Sequence, residues 1–146
     1  MSYKSVIDSF KVVTNSKYQP SDGNTYCNVF AQDVMSSMGT NLPTGTANDI
    51  ADGLYGNGFS KWRSVNAITA QSRANDGIST VGVLAVPGGH GHVVVIYPHG
   101  STPSSNTDWH NIYMSQAGAT CYNDEWISKS WKSADLPNVK FYSWYA

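Results

Sequence analysis

Two side chains in this sequence have types and surroundings suited to nucleophilic catalysis, Cys27 and His92. The polar run Ser21-Asp22-Gly23-Asn24-Thr25-Tyr26 ends directly before the cysteine, and an apolar pattern begins with it. Cys27, Phe30, Ala31, Val34, Met35 and Met38 recur at helical spacing on one face, which puts the thiol in a first helical turn facing the body of the protein. Asn24 or Thr25 can cap that turn. Unpaired N–H groups and the positive end of the helix dipole favour a thiolate there, the form that attacks carbonyls. Sixty-five residues on, Gly88-Gly89-His90-Gly91-His92 leads into Val93-Val94-Val95-Ile96-Tyr97, a short β-branched run that reads as a buried strand. An imidazole opening that strand can meet a helix N-terminus, take the thiol proton and return it to a leaving amine.

Each residue taken alone has a plainer reading. A cysteine on an apolar helix face is ordinary core packing, and a histidine beside a strand is ordinarily structural. The conjunction favours catalysis: a cysteine at a helix start after a polar turn, and a Gly-His at the head of a hydrophobic strand. Two competing accounts use the same residues. Cys121, in the loop-like Ala119-Thr120-Cys121-Tyr122-Asn123, can bridge Cys27 in a disulfide, which would leave no nucleophile. His90, His92, His99 and His110 with the two cysteines can be offered to zinc, but no Cys-x-x-Cys or His-x-x-x-His spacing occurs. The expectation is therefore no metal and no cofactor.

The elements that must position this pair follow from periodicity. Val6 to Val13 reads as an opening helix with Val6, Ile7, Phe10 and Val13 on one side. The Cys27 helix ends near Gly39, the residue type that helix C-termini need for a left-handed conformation. Short helices follow at Ala47 to Leu54 and Ser64 to Ala74, the latter with Val65, Ala67 and Ile68 apolar. The period then changes, and Val81 to Val86, Val93 to Tyr97, Ile112 to Gln116 and Val139 to Tyr145 read as strands separated by turns such as Pro87-Gly88-Gly89. Helices first and an antiparallel sheet after is the α+β order. Residues 1–146 fit one domain, long enough to bury about 70% of the unfolded surface.

Tyr26-Cys27-Asn28-Val29-Phe30, then Gly39 to Pro43, then Gly91-His92-Val93-Val94-Val95-Ile96 resembles the papain-like cell-wall peptidases of the NlpC and CHAP type. The resemblance is closest to amidase effectors delivered by type VI secretion systems. Leu42-Pro43, Thr44-Gly45-Thr46, the Ala47-Asn48 and Asp52-Gly53-Leu54 pattern and Trp62 extend it over roughly Tyr18 to Ile96, with a weaker echo in Ser115-Gln116-Ala117-Gly118. NlpC-type enzymes usually carry Asp-Cys-Ser-Gly where this chain has Tyr26-Cys27-Asn28-Val29. The resemblance implies a papain-like fold, with N-terminal helices packed on an antiparallel sheet. It also implies a third polar residue on the strand after the histidine strand, for which Ser115 and Gln116 both qualify; Asp108 and His110 precede that strand and read as loop. It further implies substrate or oxyanion contact by Tyr18, and its presumed groove puts Asn24, Tyr26, Gly89 and His90 against the substrate. The implied reaction is hydrolysis of a peptidoglycan stem-peptide amide, between D-glutamate and diaminopimelate, with an immunity protein as the partner expected of a secreted toxin.

Composition frames these expectations. A net charge of −1 and 13% charged residues leave no basic field for nucleic acid or an anionic membrane surface. No apolar run approaches the roughly 20 residues of a membrane span, and Met1-Ser2-Tyr3-Lys4 lacks a signal-peptide core. Abundant small polar residues and aromatics suit work outside the cytoplasm, so an exported or injected protein acting in the periplasm or cell wall is expected, as a monomer by default. Two further function classes stay open. Trp62, Trp109, Trp126, Trp131 and Trp144 suit stacking platforms of a wall- or glycan-binding module. A papain-like enzyme can also act on another acyl substrate, as deamidases and transglutaminases do.

Overall fold

The computed structural model describes residues 2–56 and 58–146; Met1, part of the N-terminal segment read above, lies outside the described residues. Among the described residues the architecture is α+β, four α-helices and a six-stranded antiparallel sheet.

The first helix, α1 (Tyr3–Ser9), buries Tyr3, Val6 and Ile7, an i, i+3, i+4 stripe, and Ser2 caps it by accepting from the Ser5 N–H. The sequence places this helix at Val6 to Val13. It instead begins at Tyr3, whose hydroxyl donates to the carbonyls of Thr80 and Ile96. It ends before Lys11, which takes a left-handed φ of 50°. That turn buries Val12 and leaves Val13 half-exposed.

Helix α2 (Cys27–Ser37) buries Cys27, Phe30, Ala31, Val34 and Met35, the face expected from spacing. Its N-cap is Tyr26, with no side-chain capping bond, so neither Asn24 nor Thr25 fills that role. Gly39 stops the helix at φ 73°, as its sequence position predicts. Helix α3 (Ala47–Leu54) opens with a complete capping box, Thr46 accepting from the Asp49 N–H while the Asp49 carboxylate accepts from the Thr46 N–H.

The expected helix from Ser64 to Ala74 divides into strand β1 (Trp62–Val65) and helix α4 (Ala67–Asn75). Asn66 decides the boundary, since its side chain accepts from the Thr69 N–H as an N-cap. Upstream of it Trp62 to Val65 pair with the last strand. The other strands are β2 (Thr80–Leu84), β3 (His92–Ile96), β4 (Tyr113–Gln116), β5 (Tyr122–Trp126) and β6 (Lys140–Trp144), four of them where hydrophobic runs predict strands. The unforeseen one is β5, Tyr-Asn-Asp-Glu-Trp, whose polar middle gives no strand signal because it lies at an edge.

The sheet runs β1-β6-β2-β3-β4-β5, every neighbouring pair antiparallel. Val81, Val83 and Val93 to Ile96 are fully buried, so the two central strands are covered on both faces. Helix α2 packs on β3 and β4, and α3 on β2 and β3. That packing sets the first turn of α2 and the first residues of α3 around the start of β3. Among the described residues no helix is long and apolar enough to cross a membrane.

Candidate active site

A cavity of about 920 Å³ opens where these element ends converge. Its walls come from the turn before α2 (Gly23, Asn24, Thr25), the start of α2 (Cys27, Asn28), the start of α3 (Thr46, Ala47, Asn48), the turn into β3 (Gly89, His90, Gly91, His92) and the β4–β5 connection with Gln116. A second cavity of about 500 Å³, lined by Ser64, Asn66, Asn106, Trp109 and Phe141 among others, contains no cysteine or histidine.

The β2–β3 turn is held by α3. Asn48 donates to the carbonyls of Val86 and Gly89 at 3.1 and 3.0 Å and accepts from the Val86 N–H at 2.8 Å. Gly91 is required beneath this clamp: a Cβ there would overlap the Asn48 Oδ1 and press on the Leu84 carbonyl. The residue directly after Gly91 is His92, so the clamp fixes the entry of the imidazole into the cavity.

The imidazole itself is held by a closed network. His92 Nε2 lies 2.7 Å from Gln116 Oε1. Gln116 donates through Nε2 to the Thr120 carbonyl at 2.8 Å and accepts at Oε1 from the Ser130 hydroxyl at 2.7 Å. A carbonyl can only accept, so Thr120 fixes which end of the amide carries nitrogen. Gln116 Oε1 therefore faces His92 as an acceptor, His92 Nε2 carries the proton, and Nδ1 keeps its lone pair. Trp131 packs edge-on against the ring at 5.2 Å and 72°. Burial pulls the imidazole pKa below its ordinary 6.5, with the Gln116 bond acting weakly the other way, so the ring is neutral at pH 7.

The thiol answers to the same forces with the opposite sign. Burial pushes Cys27 above the usual thiol value of 9.0, although the N–H groups of Val93, Asn28 and Cys27 itself are directed at the sulfur and pull it down. The helix-start effect read from the sequence is present, but desolvation outweighs it. The resting state is a neutral thiol rather than a standing thiolate. Cys27 and His92 line the same cavity.

The chain matches no protein-family model and no curated protein.

The cavity gathers Cys27, His92, Gln116, Asn24, Gly89 and His90 of the residues singled out in the sequence, and leaves out Ser115, Tyr18 and Tyr26. Between the two candidates for the third polar residue, strand alternation decides. Gln116 reaches His92, while Ser115 points to the other face, donating to Asn123 Oδ1 and accepting from the Asp124 N–H. Tyr18 is fully buried, edge-on to Phe30, and donates to Asp33 at 2.6 Å. It braces α2 from inside the core rather than touching a substrate. Tyr26 is half-buried against the core as the N-cap of α2. Asp108 accepts from Ser104 and Asn111 within its own turn, and His110 stacks on Trp126, both away from the cavity.

Cys27 and Cys121 are free thiols, and Cys121 donates to the Tyr18 carbonyl. Among the described residues no three His, Cys, Asp or Glu side chains converge as metal ligands. Trp62 and Trp131 are buried, so they are not stacking platforms; Trp126, 41% exposed, is the tryptophan most open to solvent. The site residues that sequence reading missed are Asn48, Thr120, Ser130 and Trp131. Asn48 had a usable signal, since it sits inside the Thr46-x-x-Asp49 capping box at a helix start. Thr120 acts through its backbone carbonyl, which any residue type supplies, and Ser130 and Trp131 act through contacts distant in sequence that no local pattern marks.

Proposed function

We propose that this protein is a papain-like cysteine hydrolase that cleaves an amide bond in the peptidoglycan stem peptide, between D-glutamate and diaminopimelate. The observation that carries the catalytic part is the shared cavity of a buried thiol at a helix start and an imidazole whose Nε2–H is committed to Gln116 Oε1. A Cys–His pair with an amide-bearing orienting residue is a sufficient set for acyl transfer. The bond assignment and the likeness to type VI amidase effectors rest on the sequence resemblance.

In this mechanism His92 Nδ1 takes the proton of Cys27 as the sulfur attacks the scissile carbonyl carbon. Charge develops on the carbonyl oxygen, and the Cys27 backbone N–H at the helix start is the natural donor to it. Such a donor contributes about 3–4 kcal/mol in hydrolases. The C–N bond breaks as the imidazolium returns its proton to the departing amine, leaving a thioester on Cys27. His92 then deprotonates a water molecule, which attacks the thioester, releasing the carboxylic acid and restoring the thiol. Because the resting pair is neutral, proton transfer accompanies attack and His92 works as a true general base. Gln116 keeps the ring in the working tautomer, and Trp131 covers its edge.

The site of action is the periplasm or cell wall, reached by export or injection, and an immunity protein that plugs the cavity is the partner such a toxin needs. The test is incubation of purified sacculi with the protein and with its Cys27→Ala variant, followed by mass identification of the released muropeptides. The expected products are stem fragments ending in D-glutamate, absent with the variant. Release of sugar-cleaved fragments alone would refute the amidase reading. Transfer of the acyl group to an added amine in preference to water would indicate a transglutaminase.

A further inference from the structure

The cavity around Cys27 has a one-sided charge. Among its described lining residues there is no aspartate or glutamate, and Lys129 is the one lysine or arginine. The chain as a whole carries 10 acidic and 9 basic residues, so this asymmetry belongs to the cavity and not to the composition.

The position of Lys129 is fixed by structure on both sides. It ends the short 3-10 turn Ile127–Lys129, which is pinned to the sheet by the Ile127 N–H donating to the Ile112 carbonyl at 2.9 Å. The next residue, Ser130, donates to the Gln116 oxygen that orients His92. Adjacent Cα atoms lie about 3.8 Å apart, so the backbone that carries Lys129 is one residue from the orienting network. It rests 5.3 Å over the Tyr122 ring and pairs with Glu125 at 3.1 Å. Both members of that pair are 41% exposed, and such a pair is exchangeable: a ligand carboxylate can replace Glu125 at little cost.

We infer that Lys129 is a specificity determinant that selects substrates carrying a free carboxylate next to the scissile amide. The inference rests on the hydrolase reading above and deepens it. In a γ-linked D-glutamyl amide, the α-carboxylate lies a few bonds from the scissile carbonyl, and Lys129 is the cation on the wall of the cavity that holds the thiol. A stem peptide whose glutamyl α-carboxylate has been converted to a carboxamide presents a neutral group there and forfeits the ion pair.

Binding measured on the Cys27→Ala protein, which needs no turnover, tests this separately from hydrolysis. The two probes are synthetic stem tetrapeptides identical except that the D-glutamyl α-group is a carboxylate or a carboxamide. The carboxylate peptide is expected to bind about tenfold more tightly. A second substitution, Lys129→Met, is expected to bring the two affinities together, and Glu125→Gln to widen the gap by removing the competitor. Equal affinities in the Cys27→Ala protein, or a preference that survives Lys129→Met, would overturn the inference. Cleavage of either peptide by the unmodified protein bears on the hydrolase reading alone, so the two failures are distinguishable.

Discussion

His92 and His99 make similar contacts in opposite surroundings. Each has a ring nitrogen 2.7 Å from a side-chain oxygen, Gln116 Oε1 for His92 and Asp124 Oδ1 for His99. Each also packs on an aromatic ring, Trp131 edge-on for His92 and Tyr113 stacked at 3.6 Å for His99. By partner type alone, His99 with its carboxylate is the more familiar catalytic dyad. Its side chain is 39% exposed, however, and it does not line the cavity that holds the thiol. His92 is half-buried and lines that cavity, and its partner is a neutral amide. The difference shows that a dyad becomes a catalyst through its surroundings: a nucleophile in the same cavity, restricted water, and a partner that orients the imidazole without charging it.

Substitutions break this comparison in graded steps. Cys27→Ala is expected to reduce cleavage of stem peptide by a factor on the order of 10⁴ or more, because no nucleophile remains. His92→Ala removes the general base, and a loss of roughly 10²–10⁴ is expected in kcat with retained peptide binding. Gln116→Ala leaves the imidazole free to turn and its N–H unpaired; a cost of about 1–3 kcal/mol corresponds to roughly 5–150-fold in kcat. His99→Ala should leave cleavage within about twofold and stability within about 1 kcal/mol, as expected for an exposed side-chain pair. A large catalytic loss in that last variant would remove the contrast between the two histidines.

The pH dependence sharpens the same contrast. His92 works as a base only when neutral, which holds above its pKa, and burial sets that pKa below 6.5. Activity is therefore expected to persist through pH 7 and to fall only as pH drops below 6.5. Gln116→Glu puts a carboxylate where the amide stands, which favours the imidazolium and raises the pKa, so the acid limb should move to higher pH. Gln116→Ala removes a bond that now holds the pKa up, so its acid limb should move the other way. A pH–rate profile of the three proteins checks both directions.

Much of this site was legible in the sequence because local signals carried it. Cys27 sits at a transition from polar turn to helical periodicity, and His92 at the head of a valine run; both patterns are short-range. Gly39 as the end of α2 was legible for the same reason. The choice of Gln116 over Ser115 was not, because it depends on how β4 faces its neighbours. A register irregularity between Met114 and Gln116 places the extra residue on β5, beside Asp124 at φ 57°, so β4 keeps its alternation and turns Ser115 to Asn123 and Gln116 to His92. The edge strand β5 was invisible because its polar residues have no buried face to announce them. The single helix expected from Ser64 to Ala74 failed because Asn66, an N-cap residue, sits inside it. The net direction of the Cys27 shift was not legible for a different reason: helix-start N–H groups are visible in sequence, whereas the burial that opposes them is a property of the assembled fold.

The most direct test of the central claim is intact-mass analysis of the protein, acid-quenched during turnover of the stem tetrapeptide, with the adduct mapped by peptide sequencing. The account predicts a mass increase equal to the acyl group of the peptide less the one thiol hydrogen it replaces, located on Cys27 and absent in Cys27→Ala. Cleavage that continues undiminished in Cys27→Ala, with no adduct on that residue in the unmodified protein, would contradict it.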